Sequence, residues 1–164
     1  MILIGLGANL DSKAGTPQDT LASALGAMAA RRIRIRKVSR FFASPAWPDP
    51  SDPPFTNAVA HVQTPLGPAR LLQTLHDIEA EFGRIREKQN APRTLDLDLL
   101  DYDGRIETGP PELPHPRLAQ RAFVLLPLQD VATGWRHPVS GLAVSELVAA
   151  IPASDRAGVR VLEG

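Results

Sequence analysis

The chain has 164 residues, which suits one domain with a single hydrophobic core. Its 18 basic and 18 acidic side chains cancel, so the composition does not demand a large basic face for nucleic acid. The absence of cysteine excludes a disulfide framework, a thiolate nucleophile and a zinc site built on sulfur. Residues 1–7 are apolar but too short to span a membrane and lack the basic flank of a signal peptide, so we expect a cytoplasmic protein.

The first elements predicted along the chain are a strand, a helix and a second strand. Residues 2–6 are an apolar run that ends at a glycine, as a buried strand does. Thr16 and Pro17 are the residue types of a helix N-cap and first turn. Residues 33–42 alternate apolar and basic side chains, which predicts a half-buried strand. The helix between them continues through three apolar residues at helical spacing, Leu21, Leu25 and Met28.

A proline-rich segment, residues 44–54, then interrupts regular structure, because proline disrupts both sheet pairing and helix interiors. Residues 55–63 predict the next strand, and Pro68 begins a second helix that Gly83 closes. Residues 95–100 alternate leucine and aspartate until Leu100, which predicts a strand. The core stripe of the second helix is predicted to contain Leu71, Leu75, Ile78 and Phe82.

The resulting order, β-α-β-β-α-β, is typical of a ferredoxin-like split βαβ sandwich. We therefore expect an α+β fold with a mainly antiparallel sheet, helices packed on it and long loops around the active site. Two short helices are predicted beyond this unit, at residues 123–131 and 144–150. No internal repeat or boundary is visible, so residues 1–164 are expected to form one domain.

Asp96 and Asp98 are the most informative pair of polar residues. Residues two apart on a strand project to one face, so these carboxylates lie together while the intervening leucines face the other side. Two adjacent anions need compensation, and Mg²⁺ prefers carboxylate oxygen while it keeps waters and substrate phosphates as further ligands. The pair therefore suits Mg²⁺ that carries a nucleotide polyphosphate, although a solvated strand face is the alternative for this motif alone.

Several cationic residues surround this pair in the sequence. Arg84 and Arg86 follow the second helix, and Arg93 precedes Asp96 by three residues. Arginine binds phosphate oxygens in bidentate fashion and stabilises charge on a transferring phosphoryl group. Each arginine alone is more simply a surface charge, but beside the carboxylate pair they predict a polyphosphate site. His115 and Arg121 add cationic groups further along the chain.

The second helix carries two further candidates. Glu79 lies at the edge of the predicted buried stripe, where an inward carboxylate needs an arginine or a ligand hydroxyl as its partner. The alternative is an edge side chain that reaches water. His76 lies one helical turn before Glu79 and is a candidate residue of the nucleotide site.

Other functional classes fit the sequence less well. Gly5-Leu6-Gly7 after a strand lacks the third glycine of a dinucleotide fingerprint, and no Gly-x-x-x-x-Gly-Lys-Ser/Thr occurs. A phosphatase with Asp96 as nucleophile does not account for the arginines. A non-enzymatic ferredoxin-like module for RNA or a small ligand is the alternative from another class. Its basic run, Arg31, Arg32, Arg34, Arg36 and Lys37, lacks interleaved aromatic residues and is better explained as a solvated strand face.

Two stretches together resemble the signature of the 6-hydroxymethyl-7,8-dihydropterin pyrophosphokinase family. They are Gly-Arg-Ile-Arg at 83–86 and Pro-Arg-Thr-Leu-Asp-Leu-Asp-Leu-Leu at 92–100. Further matches occur in the family's order, namely Gly-Leu-Gly-Ala-Asn at 5–9, Ser44-Pro45, Phe-Thr-Asn at 55–57, Pro114-His115 and Arg121-Ala122-Phe123. The resemblance covers about residues 2–130 and implies transfer of diphosphate from ATP to the pterin, with release of AMP, in folate biosynthesis.

The resemblance also implies roles for individual residues. Asp96 and Asp98 would hold two Mg²⁺ ions on ATP, and Arg84 and Arg93 would be the catalytic arginines. ATP would be positioned by Glu79, Arg86, Arg93, His115 and Arg121, with His76 added from its place on the helix. The pterin would lie between Phe55 and Phe123, with Asn57 at its edge and further contacts from Asn9, Ser44, Pro45 and Trp47. The expected partners are ATP and a small pterin, without nucleic acid or membrane, for a monomeric protein.

Three departures from the family pattern accompany this resemblance. Gln89-Asn90-Ala91 stands where the family has Arg-Trp-Gly, which removes one cation and one aromatic ring from a loop over the nucleotide. Pro116 stands at a position that is often aromatic, and Ala8 replaces a common serine. None of the three alters the carboxylate pair or the two phenylalanines. Residues 44–54 and 84–93 are predicted to act as lids that exclude water.

Overall fold

A computed structural model describes residues 1–46, 49–83 and 94–162. The strands are β1 (Ile2–Ala8), β2 (Arg34–Val38), β3 (Phe42–Ser44), β4 (Phe55–Gln63), β5 (Asp96–Tyr102), β6 (Glu107–Thr108), β7 (Glu112–Leu113) and β8 (Arg160–Val161). The helices are α1 (Pro17–Ala29), α2 (Pro68–Glu81), α3 (Ala122–Val131), α4 (Val144–Ala150) and α5 (Ala153–Ala157), with a single 3₁₀ turn at Leu118–Gln120.

The main sheet has the order β5-β1-β4-β3-β8, and β2 pairs with the other half of β4 beside β3. All of these pairings are antiparallel. The first five strands and first two helices thus build the predicted split βαβ arrangement, with β1 and β4 at the centre. The small β6–β7 hairpin stands apart from this sheet. The expected α+β fold with a mainly antiparallel sheet is confirmed.

Local sequence signals explain both long helices. Thr16 caps α1 by accepting the N–H of Asp19, while the Asp19 carboxylate accepts the N–H of Thr16, which completes a capping box. Proline occupies the first turn of α1 and of α2. Gly83 follows α2 with a φ of +85°, the left-handed conformation that glycine adopts without a side-chain clash. The predicted stripe of α2 is buried at all four positions.

The predicted single strand over residues 33–42 is wrong, because the structure divides it into β2 and β3. Ser39 interrupts the alternation. Its backbone N–H donates to the carbonyl of Val59 at 2.9 Å, and its hydroxyl accepts the N–H of Val59 at 2.9 Å. The next residue, Arg40, donates its backbone N–H and two guanidinium N–H groups to Asp130 of α3. These contacts draw the chain out of the regular ladder and attach it to α3.

Hydrophobic clusters cover both faces of the sheet. The first packs α1 and α2 against one face, and Leu97 and Leu99 of β5 belong to it. The second packs α3 and α4 against the other face, and Leu100 of β5 belongs to it. Asp96 and Asp98 share the second face but lie beyond the second cluster, half-buried at the edge of a cleft.

The C-terminal residues extend the sheet in a way that the sequence pattern did not predict. β8 pairs with β3, with Val161 opposite Phe42, and the N–H of Leu162 donates to the carbonyl of Phe41 at 2.8 Å. The short helix α5 precedes this strand. The helices predicted at 123–131 and 144–150 are confirmed as α3 and α4, with a one-residue earlier start for α3. Among the described residues, no helix has the length and apolar character needed to cross a membrane.

Candidate active site

A cleft of about 570 Å³ lies on the sheet face opposite α1 and α2. Its floor includes Gly5 and Gly7 of β1, Asn57 of β4, and Asp96 and Asp98 of β5. One wall is formed by the start of α3, and another by residues that follow β3. The sheet therefore brings residues from both ends of the sequence to one surface.

Glycine at position 7 keeps this floor free of a side chain. A Cβ atom at Gly7 would lie 3.3 Å from the Oδ1 atom of Asn57 and 3.9 Å from the ring of Phe55. In the β1–β5 ladder, Gly7 pairs with Asp96 and Gly5 pairs with Asp98. Because glycine has no side chain, the space beside both carboxylates remains open for a ligand.

The carboxylate pair has the orientation that strand periodicity predicts. Asp96 and Asp98 both line the cleft, while Leu97 between them is buried in the opposite cluster. An Oδ atom of Asp98 lies 3.9 Å from the Nη1 atom of Arg121, so a cation already faces the pair. This arrangement concentrates two negative charges and one positive charge at one end of the cleft.

The donor set fits Mg²⁺ delivered with a polyphosphate. Carboxylate oxygen is the preferred protein ligand of this ion, and phosphates and waters complete its octahedron. Within residues 1–46, 49–83 and 94–162, no group of three or more histidine, cysteine, aspartate or glutamate side chains is arranged to hold a metal.

Arg121 and Phe123 connect the charged end of the cleft to its aromatic part. Arg121 is the N-cap residue of α3, and Phe123 lies in the first turn of that helix. The guanidinium carbon of Arg121 lies 5.4 Å from the centre of the Phe123 ring, a cation–π contact. Both side chains are half-buried. The N-terminus of α3 thus presents a guanidinium group, which can bind phosphate, next to a flat apolar ring.

The expectation that His115 adds a positive charge to the site is wrong, because its ring is neutral at physiological pH. Burial lowers the pKa of His115 to about 4; the positive charges of Arg121 and Arg117 contribute, while Asp96 opposes them. The Nδ1 atom accepts the N–H of Arg117 at 3.2 Å, so the proton of the neutral ring belongs on Nε2. The backbone N–H of His115 donates to Leu100 of β5 at 2.9 Å, which fixes the residue beside the strand of the carboxylate pair.

Five of the residues predicted to bind the pterin come together at the other end of the cleft. Phe55 and Phe123 line it from different elements, and Ser44, Pro45 and Asn57 line it with them. The side-chain amide of Asn57 donates to the hydroxyl of Ser44 at 2.7 Å, and both residues are about 4% exposed. This bond orients the Asn57 amide, so that its carbonyl oxygen lies on the side of Gly7.

Asn9, Glu79 and His76 are not among the residues that line this cleft. Asn9 is buried and donates its side-chain N–H to the carbonyl of Pro53 at 3.1 Å, which holds the loop that leads into Phe55. Glu79 is 1% exposed and accepts the N–H of Leu97 at 2.8 Å. His76 lies half-buried one turn earlier on α2. Their predicted contacts with pterin or ATP stay predictions.

Several predicted site residues lie outside the described part of the chain. They are Trp47, Arg84, Arg86 and Arg93, together with Gln89-Asn90-Ala91 and the whole predicted lid 84–93.

The cleft also contains residues that sequence reasoning missed. Arg117 and Gln120 precede α3, and the C-terminal residues Ser154, Asp155, Gly158 and Val159 form part of the wall near Pro45. A Cβ atom at Gly158 would lie 3.4 Å from two ring carbons of Pro45. α5 and β8 are too short for hydrophobic periodicity to reveal them.

Comparisons with known proteins agree on the family. The model of the 7,8-dihydro-6-hydroxymethylpterin-pyrophosphokinase (HPPK) family matches residues 3–133. The chain is 38% identical over 148 residues to a 2-amino-4-hydroxy-6-hydroxymethyldihydropteridine pyrophosphokinase of Synechocystis sp., covering 89% of this chain and 73% of that protein. A protein of the same name from Pseudomonas aeruginosa is 37% identical over 153 residues, covering 92% and 91% of the two chains.

A solved structure supports the fold. The crystal structure of a Plasmodium falciparum HPPK-DHPS triple mutant superposes with a TM-score of 0.68 and covers 90% of this chain at 13% identity. The present chain spans only 43% of that longer protein. The family match, the two bacterial relatives and the arrangement of the cleft lead to one conclusion: the chain belongs to the 7,8-dihydro-6-hydroxymethylpterin pyrophosphokinase family.

Proposed function

We propose that this chain transfers the diphosphate group of ATP to the hydroxymethyl oxygen of 6-hydroxymethyl-7,8-dihydropterin, with release of AMP, as a step of folate biosynthesis. The observation that carries the proposal is one cleft with a carboxylate pair at one end and two phenylalanines with an oriented amide at the other. Membership of this family supports the assignment of the carboxylate end to the nucleotide and of the aromatic end to the pterin.

The pterin end supplies shape and orientation. Phe55 and Phe123 provide flat apolar surfaces on which a heterocycle stacks. Ser44 holds the amide of Asn57, whose carbonyl oxygen would accept a ring N–H at the edge of the pterin. A buried polar group fixed in this way rejects rings that lack the matching donor, because its hydrogen bond would then be unmade. Asn9 would contribute indirectly, since it holds the loop before Phe55.

The carboxylate end supplies charge for the triphosphate. Asp96 and Asp98 would hold Mg²⁺, which when bound neutralises phosphate charge in the transfer. Arg121 lies close enough to Asp98 to share the same phosphates, and neutral His115 offers its Nε2–H as a donor. The catalytic roles of Arg84 and Arg93 and the ATP contacts of Arg86 and His76 remain part of this proposal, as does the number of two ions.

Positioning explains how the two ends cooperate. Arg121 and Phe123 belong to the same helical turn and contact each other, so a ring stacked on Phe123 lies next to the cation that receives the phosphates. The hydroxymethyl oxygen of a bound pterin would then attack the β-phosphorus, the bond from that phosphorus to the α-phosphate oxygen would break, and AMP would leave. Phosphoryl transfer gains most of its acceleration from such alignment and from electrostatic stabilisation.

We infer that residues 1–164 form one domain and that the protein is monomeric and cytoplasmic. We infer that its partners are ATP and a pterin. The single domain is supported by strands β1, β4 and β5, which contribute residues to both hydrophobic clusters.

The direct test measures AMP released from ATP in the presence of Mg²⁺ and 6-hydroxymethyl-7,8-dihydropterin. We expect AMP formation that depends on the pterin, and a loss of about a hundredfold in kcat/KM for Asp98→Asn, since a bound metal supplies several kcal/mol of charge stabilisation. Asp103→Asn is the matched control, because Asp103 is an exposed carboxylate just beyond β5 that pairs with the N-terminus. A folded wild-type protein that releases no AMP would refute the proposed reaction, whereas full activity of Asp98→Asn would refute the role of the pair.

A further inference from the structure

Strand β5 carries the carboxylate pair at the edge of the sheet. Among the described strands it pairs with β1 alone. Leu97 lies between Asp96 and Asp98. Its backbone N–H points away from β1 and toward Glu79 of α2. The backbone of this one residue connects both carboxylates, so whatever holds it also sets their spacing and direction.

Glu79 of α2 holds that backbone. Its Oε2 atom accepts the N–H of Leu97 at 2.8 Å. Only 1% of Glu79 is exposed, and its neighbours Leu75 and Ile78 on the same helix are fully buried. A carboxylate in such surroundings is costly unless it is hydrogen-bonded, and a bond from a backbone N–H to a carboxylate is among the stronger ones in proteins.

We infer that Glu79 is a positioning residue that acts on Mg²⁺-ATP through the backbone of Leu97 rather than by contact with the nucleotide. The inference rests on the proposed function, because it assigns Asp96 and Asp98 to the metal. A partner behind a ligand sets the ligand's orientation, and removal of such partners typically lowers metal affinity or activity by about 10–100-fold.

The hydrogen bond from Leu97 to Glu79 makes the positioning role distinguishable from a charged contact of Glu79 with ATP or with an arginine. The N–H of Leu97 requires an acceptor but not a negative charge. Glutamine has nearly the same shape and retains a carbonyl oxygen, whereas leucine fills a similar volume and accepts nothing. Glu79→Gln should therefore preserve the position of β5, and Glu79→Leu should release it.

The experiment compares these two variants with the wild-type chain. We expect Glu79→Leu to raise the half-saturating Mg²⁺ concentration about tenfold or more, with an unchanged KM for the pterin, and Glu79→Gln to stay within about threefold of wild type. Glu81→Leu is the matched control, since Glu81 lies on the exposed side of the same helix and contacts Arg31. Circular dichroism verifies that each variant is folded.

A second measurement does not depend on turnover. Amide hydrogen exchange, followed by NMR, should show a protected Leu97 N–H in wild type and in Glu79→Gln, and faster exchange in Glu79→Leu. Equal loss of activity in Glu79→Gln and Glu79→Leu would overturn the inference in favour of a charged contact. An unchanged Leu97 exchange rate in Glu79→Leu would also overturn it. Absence of pterin-dependent AMP formation in wild type would count against the proposed function alone, because the Leu97 amide is still measurable.

Discussion

Gly5 and Gly7 are opposite Asp98 and Asp96 in the β1–β5 ladder, and this register makes the cleft possible. A cross-strand neighbour normally contributes a side chain within contact distance on the same face. Here that volume is left to a ligand, while the same absence of a side chain lets Gly7 approach Asn57. The shape of the site therefore depends on the two glycines, which have no Cβ atom, as much as on the charged side chains.

The sequence predicted the charged groups but not their surroundings. The alternation of leucine and aspartate over residues 95–100 is local, so it was enough to place Asp96 and Asp98 on one face. The glycines opposite them could not be assigned, because strand register depends on pairing between residues about 90 positions apart. For the same reason the bond from Leu97 to Glu79 was not predictable, although the buried edge position of Glu79 hinted at a partner.

His115 should make stability depend on pH. Its pKa in the folded protein is lowered from 6.5 to about 4, so between these values the unfolded chain binds a proton that the folded protein does not. Stability therefore falls as the pH decreases through this window and is restored above it. Urea unfolding at neutral and at mildly acidic pH should show a smaller acid-induced loss for His115→Gln than for wild type.

Part of the loss should persist in that variant, since burial also lowers the pKa of His61 and of His137. NMR titration of the His115 ring provides the control. A midpoint near 6.5 would show that the ring is not held neutral, and the expected stability difference would then have no basis.

At the scale of elements, the sequence predicts structure that local signals mark, but not structure that depends on pairing between distant residues. α1, α2 and β4 begin at their predicted residues, because a cap or a first-turn proline marks each helix and the end of the proline-rich segment marks the strand. The break between β2 and β3 arises because Ser39 bonds to Val59, twenty residues away in the chain. No local sequence pattern predicts this break. β8 has two residues and exists only through its pairing with β3.

The contact between the turn after α5 and the loop after β3 should control pterin binding. Gly158 has ordinary helical backbone angles, so a side chain there causes no backbone strain. Its Cβ position is 3.4 Å from the Pro45 ring, which leaves room for alanine but not for the branched carbons of valine. We expect Gly158→Val to displace Pro45 and raise the pterin KM severalfold, with little change in the KM for ATP.

Steady-state kinetics with each substrate varied in turn checks this expectation. Gly134→Val is the matched control, because a Cβ atom at Gly134 would have no neighbour within 4 Å. An equal rise in both KM values would indicate a general disturbance of the fold, and an unchanged pterin KM would show that this wall does not reach the substrate.

At the scale of the whole molecule, the two hydrophobic clusters lie on opposite faces of one sheet, and successive residues of its central strands belong to different clusters. In β1, Leu3 belongs to the second cluster while its neighbours Ile2 and Ile4 belong to the first. In β4, Val59 lies in the second cluster between Ala58 and Ala60 of the first. Neither cluster can lose its sheet face without loosening the strands that support the other.

This interleaving predicts that the protein unfolds in one cooperative transition. Trp135 reports on the second cluster, where it is 6% exposed and donates its indole N–H to Asp101 of β5 at 2.8 Å. The chain has two tryptophans, so Trp47→Phe leaves Trp135 as the sole indole fluorophore. Far-UV circular dichroism of the same variant is weighted toward the long helices α1 and α2, which belong to the first cluster.

In urea, the fluorescence and circular dichroism transitions of Trp47→Phe should coincide in midpoint and slope, as two-state unfolding requires. In the same Trp47→Phe background, Asp101→Ala, which leaves the buried indole N–H of Trp135 without its acceptor, should lower the free energy of unfolding reported by both transitions by about 1–3 kcal/mol. A fluorescence transition at clearly lower urea than the helical signal would mean that α3 and α4 detach first. The C-terminal part would then be a separate folding unit, contrary to the single domain that the shared sheet predicts.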